Sequence, residues 1–338
     1  MKHNEFFAAL KAGQIPPLML FEGTEEYVKQ QALSRLGKAL LPDGMEEMNR
    51  SELINPDADA LIAAAETLPF LAEKRLVIVR ECDLLTTSKK SDDDKLEALM
   101  DYLPKLSPMT CLVFVVKGKA DGRKKLYLAL KKRDAIVDFS PMSDMEAAGW
   151  AQKSMRALGK QIDATTAQKL VFTVGSDAAL LKQEMDKLAH FVGEREAIAP
   201  EDIDEVCVKS LECTVFQMVD AQVAGRNAEA FRLLQSVLQN GQDRVGVLAM
   251  LLRQYRILYH ARCLLEDRVP TGSQAALLGI PPFALTRTQA QAKRYAKERL
   301  KAAYDYLFDL EYRIKQGKAS QEGCAEAAML RLDAILTA

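Results

Sequence analysis

A phosphate-binding turn is the first chemistry to look for, because Leu18-Met19-Leu20-Phe21-Glu22-Gly23-Thr24-Glu25-Glu26-Tyr27 has the outline of a strand, a glycine turn and a helix start. Such a turn cradles phosphate when it closes on Gly-Lys-Ser/Thr, with backbone N–H groups around the anion and the lysine and hydroxyl beside its charge and its magnesium. Here Glu25 and Glu26 precede the helix and no P-loop lysine follows, so the turn repels a triphosphate. No GxxxxGK[ST] occurs anywhere in the chain. The apolar runs at 76–79 and 112–116 end in Arg80-Glu81-Cys82 and Lys117-Gly118, without the paired acids that hold magnesium and orient water.

Other catalytic groups are scarce. His3, His190 and His260 are the three histidines, widely separated, and neither HExxH nor GxSxG is present. His190 and His260 read as helix-surface or partly buried side chains. Cys82, Cys111, Cys207, Cys213, Cys263 and Cys324 form no CxxC pair, which suits reduced thiols and argues against a structural zinc site. The expectation is no catalytic residue, no metal and no cofactor.

A different kind of site is written in Thr67-Leu68-Pro69-Phe70-Leu71-Ala72-Glu73-Lys74-Arg75. Pro69 has no N–H and restricts Leu68, so a preceding helix stops there and leaves Phe70 and Leu71 at its end, near the surface. Leu76-Val77-Ile78-Val79 then reads as a buried strand. Core packing under that strand is the ordinary fate of two apolar residues, and contact with a partner is the alternative.

The elements that must position these residues fall into two styles. Strands at 18–21, 76–79, 111–116 and 135–139 alternate with helices at 25–40, 57–67, 96–103 and 124–132, with a polar loop over 86–94; that alternation implies a parallel sheet covered on both faces. Beyond Ser140-Pro141 the spacing is helical: 150–158, 164–174, 177–192 with Ser176 as N-cap, and 201–208 form a compact set. Longer helices follow at 215–224, 227–239, 244–266, 282–310 with a possible break, and 321–336. The expected domains are 1–140, 141–210 and 211–338.

At 338 residues the chain exceeds one ordinary hydrophobic core. Its 46 Lys and Arg against 47 Asp and Glu give a net charge of −1, which offers no general attraction to nucleic acid or anionic lipid. Two local basic clusters stand out: Arg123, Lys124, Lys125, Lys131, Lys132 and Arg133, around a helix whose apolar side carries Leu126 and Leu130, and Arg287, Lys293, Arg294, Lys297, Arg299 and Lys301. Either could be a solvated face; the second could meet phosphate. No apolar run approaches the roughly 20 residues of a membrane span, and the amino terminus has no cleavage signal, so a cytoplasmic protein is expected.

The Pro69-Phe70-Leu71 segment with Lys74-Arg75 and the strand after it resembles the delta subunit of the bacterial DNA polymerase III clamp loader. Leu71 is aliphatic where many members have a second aromatic, and Ala72 stands where glycine is common. Three more stretches resemble that family: Asp121-Gly122-Arg123-Lys124-Lys125-Leu126-Tyr127, Leu181-Lys182-Gln183-Glu184-Met185-Asp186-Lys187-Leu188, and Leu310-Glu311-Tyr312-Arg313-Ile314-Lys315-Gln316-Gly317. None is specific alone; their order and spacing carry the likeness over most of the chain.

The resemblance implies an AAA+-like α/β domain, a small helical lid and a helical-bundle collar used for oligomerisation. It implies an accessory, non-hydrolysing subunit of a DNA-directed DNA polymerase complex that binds the sliding clamp through Leu68, Phe70 and Leu71 and opens its ring on primed DNA. The implied partners are the sliding clamp, the gamma/tau ATPase subunits, delta prime and, through the assembled complex, primed DNA; no membrane is implied. Clamp-loader ATPases open a lid helix with Gly-Ser-X-Arg, whose arginine reaches the nucleotide. Gly175-Ser176-Asp177-Ala178 has alanine in that place. The rivals are an AAA+ ATPase with a divergent P-loop, which millimolar ATP would reveal, and a DNA-binding regulator built on residues 211–338, for which no helix-turn-helix signature is present.

Overall fold

The computed structural model describes residues 1–86 and 93–337, so most of the polar loop expected over 86–94 lies outside the described residues. The chain divides into two compact units, Met1–Pro141 and Met142–Ala338.

The first unit is an α/β layer structure. Its strands are β1 Leu18–Glu22, β2 Arg50–Ile54, β3 Arg75–Arg80, β4 Thr110–Val115 and β5 Ile136–Asp138, all parallel in the order β2-β3-β4-β1-β5. Helix α1 His3–Lys11 precedes β1, and α2 Glu26–Leu40, α3 Glu46–Asn49, α4 Ala58–Glu66, α5 Asp93–Tyr102 and α6 Lys125–Lys132 make the connections between strands. The central strands β1 and β4 are buried along their whole length, which explains their unbroken apolar runs.

One face of the sheet, through Leu20, Val77, Val79, Leu112 and Phe114, packs on Leu61, Leu99, Leu126 and Leu130 of α4, α5 and α6. On the other face Phe21 meets Phe6 and Phe139, with ring centroids 5.2 and 4.8 Å apart. The four expected strands are present, with a fifth, β2, at the edge beside β3. Its sequence, Arg-Ser-Glu-Leu-Ile, is half-exposed and carries charge, as an edge strand can, and so has no apolar run to announce it.

The second unit is helical: α7 Asp144–Ala157, α8 Ala164–Val174, α9 Ala178–Phe191, α10 Pro200–Val206, α11 Leu211–Val223, α12 Asn227–Gln239, α13 Arg244–Glu266, α14 Thr271–Leu278, α15 Pro282–Ala292, α16 Lys297–Lys315 and α17 Cys324–Thr337. The N-cap of α9 is Asp177, whose carboxylate accepts from the Leu180 N–H at 2.9 Å, so the expectation of Ser176 is off by one. The break expected within 282–310 separates α15 from α16, and α14 is an additional short helix. Val247, Leu248, Leu251, Tyr255 and Leu258 of α13 are buried in the core formed with α11, α12, α16 and α17, whereas Leu252 and Tyr259 are only partly buried. The Tyr255 hydroxyl donates to Gln222 at 2.8 Å, and Gln222 donates to the Met329 carbonyl at 2.8 Å, so these two buried polar side chains are paired within the core.

Candidate partner-binding site

A parallel sheet has two chemically different edges. At the carboxyl edge, where α/β proteins ordinarily bind ligands, the β1–α2 turn is closed by its own chain. The Gly23 N–H donates to the Gly118 carbonyl at 2.6 Å, Glu25 N–H to Phe139 at 3.0 Å and Glu26 N–H to Thr24 at 2.9 Å. Three donors that a phosphate loop would direct at an anion are thus spent on carbonyl oxygens. Gly23 has φ of 121°, and a Cβ there would lie 2.2 Å from the Phe139 carbonyl carbon, so this glycine serves close backbone approach.

Sequence reasoning missed the main occupant of this turn. Lys29 is fully buried, and its Nζ donates to the carbonyls of Gly23 and Val116, both at 2.8 Å, and to Glu26 Oε1 at 2.5 Å. The ammonium points back into the turn; Lys29 lies six residues after Gly23, the spacing of a P-loop lysine, with Val28 in place of the motif's second glycine and Gln30 in place of its hydroxyl residue. A signal was present: Lys29 falls in line with Ala32, Leu33 and Leu36, on the apolar face of α2. Beside it Glu22 is buried and accepts from the Ala120 N–H at 3.0 Å. Burial, with Glu22 as its neighbour, raises the Tyr127 hydroxyl above its ordinary value. At the ends of β3 and β4 the exposed Glu81 and Lys117 pair at 3.2 Å.

The amino edge is built differently. Helix α4 starts at Asp57, which caps the Ala60 N–H at 2.8 Å, and ends at Thr67, whose N–H and hydroxyl both donate to the Ala63 carbonyl. Pro69 follows, and the chain enters β3 at Arg75. On this connection Leu68 is 72% exposed, Phe70 52% and Leu71 72%. The three residues singled out by sequence are therefore together on one surface segment and outside the core.

The backbone beneath them is tied down. Asn49, fully buried at the end of α3, accepts from the Phe70 N–H at 2.6 Å and donates to the Phe70 carbonyl at 2.9 Å and the Met45 carbonyl at 3.1 Å. Leu71 follows with φ of 49°, a left-handed conformation that costs a non-glycine residue about 1–2 kcal/mol. Lys74 donates to the Pro108 carbonyl at 2.5 Å, and Arg75 reaches the Met48 carbonyl at 3.1 Å and Ser51 Oγ at 2.7 Å. The basic pair thus stitches the segment to α3, to β2 and to the loop before β4. Helix α3 and that loop contribute two further exposed apolar side chains, Met48 and Met109, which the sequence reading did not single out.

The remaining candidates carry less. Arg287 pairs with Asp220, Lys297 with Glu266 at 3.6 Å and Lys301 with Asp305 at 2.6 Å, while Arg294 and Arg299 donate to the carbonyls of Val223 and Leu336. Much of the second basic cluster is therefore engaged within the chain. In the first, Arg123 pairs with Asp121 at 3.0 Å, and Leu126 and Leu130 are buried as expected. His190 is exposed and its Nδ1 lies 2.6 Å from the Asp186 carbonyl, His260 is exposed, and His3 is buried. All six cysteines are unpaired thiols; burial pushes Cys82 up to about 11 and Cys111 and Cys207 up to about 12. Among the described residues no group of three or more His, Cys, Asp or Glu could hold a metal ion, and no helix is long and apolar enough to cross a membrane.

Comparison with known proteins decides the kinship. Residues 19–140 match the family description "DNA polymerase III, delta subunit", and residues 212–332 match "DNA polymerase III delta subunit, C-terminal domain". The chain belongs to the DNA polymerase III delta-subunit family. DNA polymerase III subunit delta of Bacillus subtilis (strain 168) is 27% identical over 333 residues, covering 97% of this chain and 96% of that protein. The solved Bacillus subtilis DNA clamp loader delta protein aligns with TM-score 0.56 and 27% identity over 98% of this chain and 99% of its own. The Thermotoga maritima RuvB Holliday junction branch migration motor aligns at 12% identity and TM-score 0.35 over 85% of this chain and 82% of its own, too slight a likeness to carry an argument. The delta family is thus matched in both units, and its first match contains both edges of the sheet.

Proposed function

We propose that this chain is the delta subunit of a replicative clamp loader, that Leu68, Phe70 and Leu71 bind the sliding clamp, and that this contact opens the clamp ring. The observation that carries the reading is the pairing of three exposed apolar side chains with a backbone held in place beneath them. Exposed apolar surface of this kind finds its stability by entering a pocket on a partner. Burial of the two larger tips is worth on the order of 1.5–3 kcal/mol each, enough for a hot spot. A wedge that fits the open ring better than the closed one shifts the ring toward opening by that difference in affinity, with no chemistry in this subunit.

In this reading residues 1–140 are the AAA+-like clamp-binding domain with a degenerate nucleotide turn, 141–210 the lid and 211–338 the collar. The chain has no catalytic site of its own and works in the cytoplasm with gamma/tau, delta prime and primed DNA. Hydrolysis belongs to the partner ATPases, since the closed turn around Lys29 leaves its own N–H groups engaged.

The test is binding of the full chain to its cognate sliding clamp, wild type against a Phe70→Ala, Leu71→Ala variant whose fold is checked by circular dichroism. Loss of affinity on the order of 100-fold or more supports the wedge. Equal binding by the two proteins, or no binding by wild type, sinks it.

A further inference from the structure

The contact proposed above uses tips carried on a connection with no regular secondary structure of its own. We propose that Asn49 is the positioning residue for that contact, setting the backbone of Phe70 and Leu71 before a partner arrives. The inference rests on the clamp-binding reading.

Asn49 is fully buried, so it offers no surface to a partner and acts through another residue. Its amide closes a two-bond ring on a single residue, Phe70: the N–H donates to Oδ1 at 2.6 Å, and Nδ2 donates back to the carbonyl at 2.9 Å. The second Nδ2 proton goes to the Met45 carbonyl at 3.1 Å, which anchors the side chain at the other end of α3. Both peptide planes of Phe70 are thereby fixed across a sequence distance of 21 residues.

Only a side chain with one acceptor and two donors at this reach completes the set. Aspartate keeps the acceptor and loses both donors; alanine loses everything; glutamine carries its amide a methylene too far. The residue after the ring, Leu71, is held at φ of 49°, a conformation an L side chain abandons when it is not constrained. Without Asn49 the connection relaxes, and its ordering is then charged against binding.

The experiment measures equilibrium binding and dissociation rate for the cognate sliding clamp with full-length wild type, Asn49→Ala, Asn49→Asp, the Phe70→Ala, Leu71→Ala variant and the triple variant Asn49→Ala, Phe70→Ala, Leu71→Ala. Circular dichroism and thermal melting establish that each is folded. The expected result is about tenfold weaker binding for folded Asn49→Ala, with no further loss when it is added to the Phe70→Ala, Leu71→Ala variant. Hydrogen exchange supplies a readout on the free protein: the Phe70 amide, protected in wild type, exchanges rapidly in the variant.

Wild-type affinity in folded Asn49→Ala, with the Phe70→Ala, Leu71→Ala variant impaired, overturns the positioning role and leaves the clamp reading intact. Further loss in the triple variant also overturns it, because Asn49 would then act elsewhere than through the tips. Should Asn49→Ala fail to fold, the near-isosteric Asn49→Asp carries the same comparison. Absence of clamp binding by wild type removes the clamp reading itself, and this inference with it.

Discussion

The two edges of the sheet in the first unit handle their exposed groups in opposite ways. At the carboxyl edge, polar groups are turned inward: Lys29 is buried among the Gly23 and Val116 carbonyls, and the N–H groups of Gly23, Glu25 and Glu26 reach carbonyls nearby. At the amino edge the polar backbone is satisfied by Asn49, Lys74 and Arg75, while the apolar side chains of Leu68, Phe70 and Leu71 are turned outward. One edge has completed its interactions within the chain. The other has its backbone groups satisfied and leaves apolar side chains in solvent.

That difference is open to direct attack, and the largest effect belongs to the closed edge. Gly23→Ala places a methyl group against the Phe139 backbone at a φ that disfavours any side chain, so a loss of about 4 kcal/mol or more is expected in urea denaturation. Lys29→Met comes next: it keeps the apolar stem and strands two buried carbonyls, for an expected loss of about 3 kcal/mol. Clamp affinity per folded molecule stays at the wild-type value in Lys29→Met. A parallel fall in affinity would show that the edges are coupled and that the contrast between them is wrong.

The open edge should respond the other way round. Phe70→Ala with Leu71→Ala leaves unfolding free energy within about 0.5 kcal/mol of wild type, because exposed side chains contribute little to the core, while clamp binding collapses. A stability loss several times larger would return both residues to the core. Titration of the full chain with millimolar ATP and magnesium in a calorimeter should give no saturable heat; a binding isotherm would mean that the turn around Lys29 opens.

The smallest effect sharpens the comparison from the second unit, where charge is paired at the surface. Burial alone would raise the Asp220 carboxyl, but hydrogen bonds from Arg287 and Gln291, with the charges of Arg287 and Arg226, hold it below its ordinary value. A carboxyl depressed in the folded state contributes stability that is present in full above the unfolded value near pH 4 and is lost as pH falls through the lower folded value. Melting temperature should therefore decline below about pH 4, and the decline should be shallower in Arg287→Ala.

Legibility in the sequence followed the reach of each interaction. Strands β1, β3 and β4 announce themselves as apolar runs because both of their faces are covered, and Pro69 marks the end of α4 through a local steric rule. Strand β2 has one edge without a strand partner and keeps Arg50 and Glu52, so its composition is silent and only its pairing with β3 defines it. Asp177 rather than Ser176 caps α9 because the choice between adjacent capping residues is made by backbone geometry. The burial of Lys29 left a trace, a lysine on an apolar helix face, yet its acceptors lie six and 87 residues away. Asn49 left no trace at all.

By itself the sequence determined the α/β-then-helical order, the absence of a phosphate-loop motif and the apolar character of residues 68–71, since each depends on residue type or on spacing within a few positions. Tertiary structure alone decided that Lys29 fills the turn, that Asn49 grips Phe70, and that the apolar tips face solvent instead of the core. Those outcomes depend on which distant backbone groups arrive beside a side chain, and a linear pattern of residues does not carry that information until the sheet has assembled.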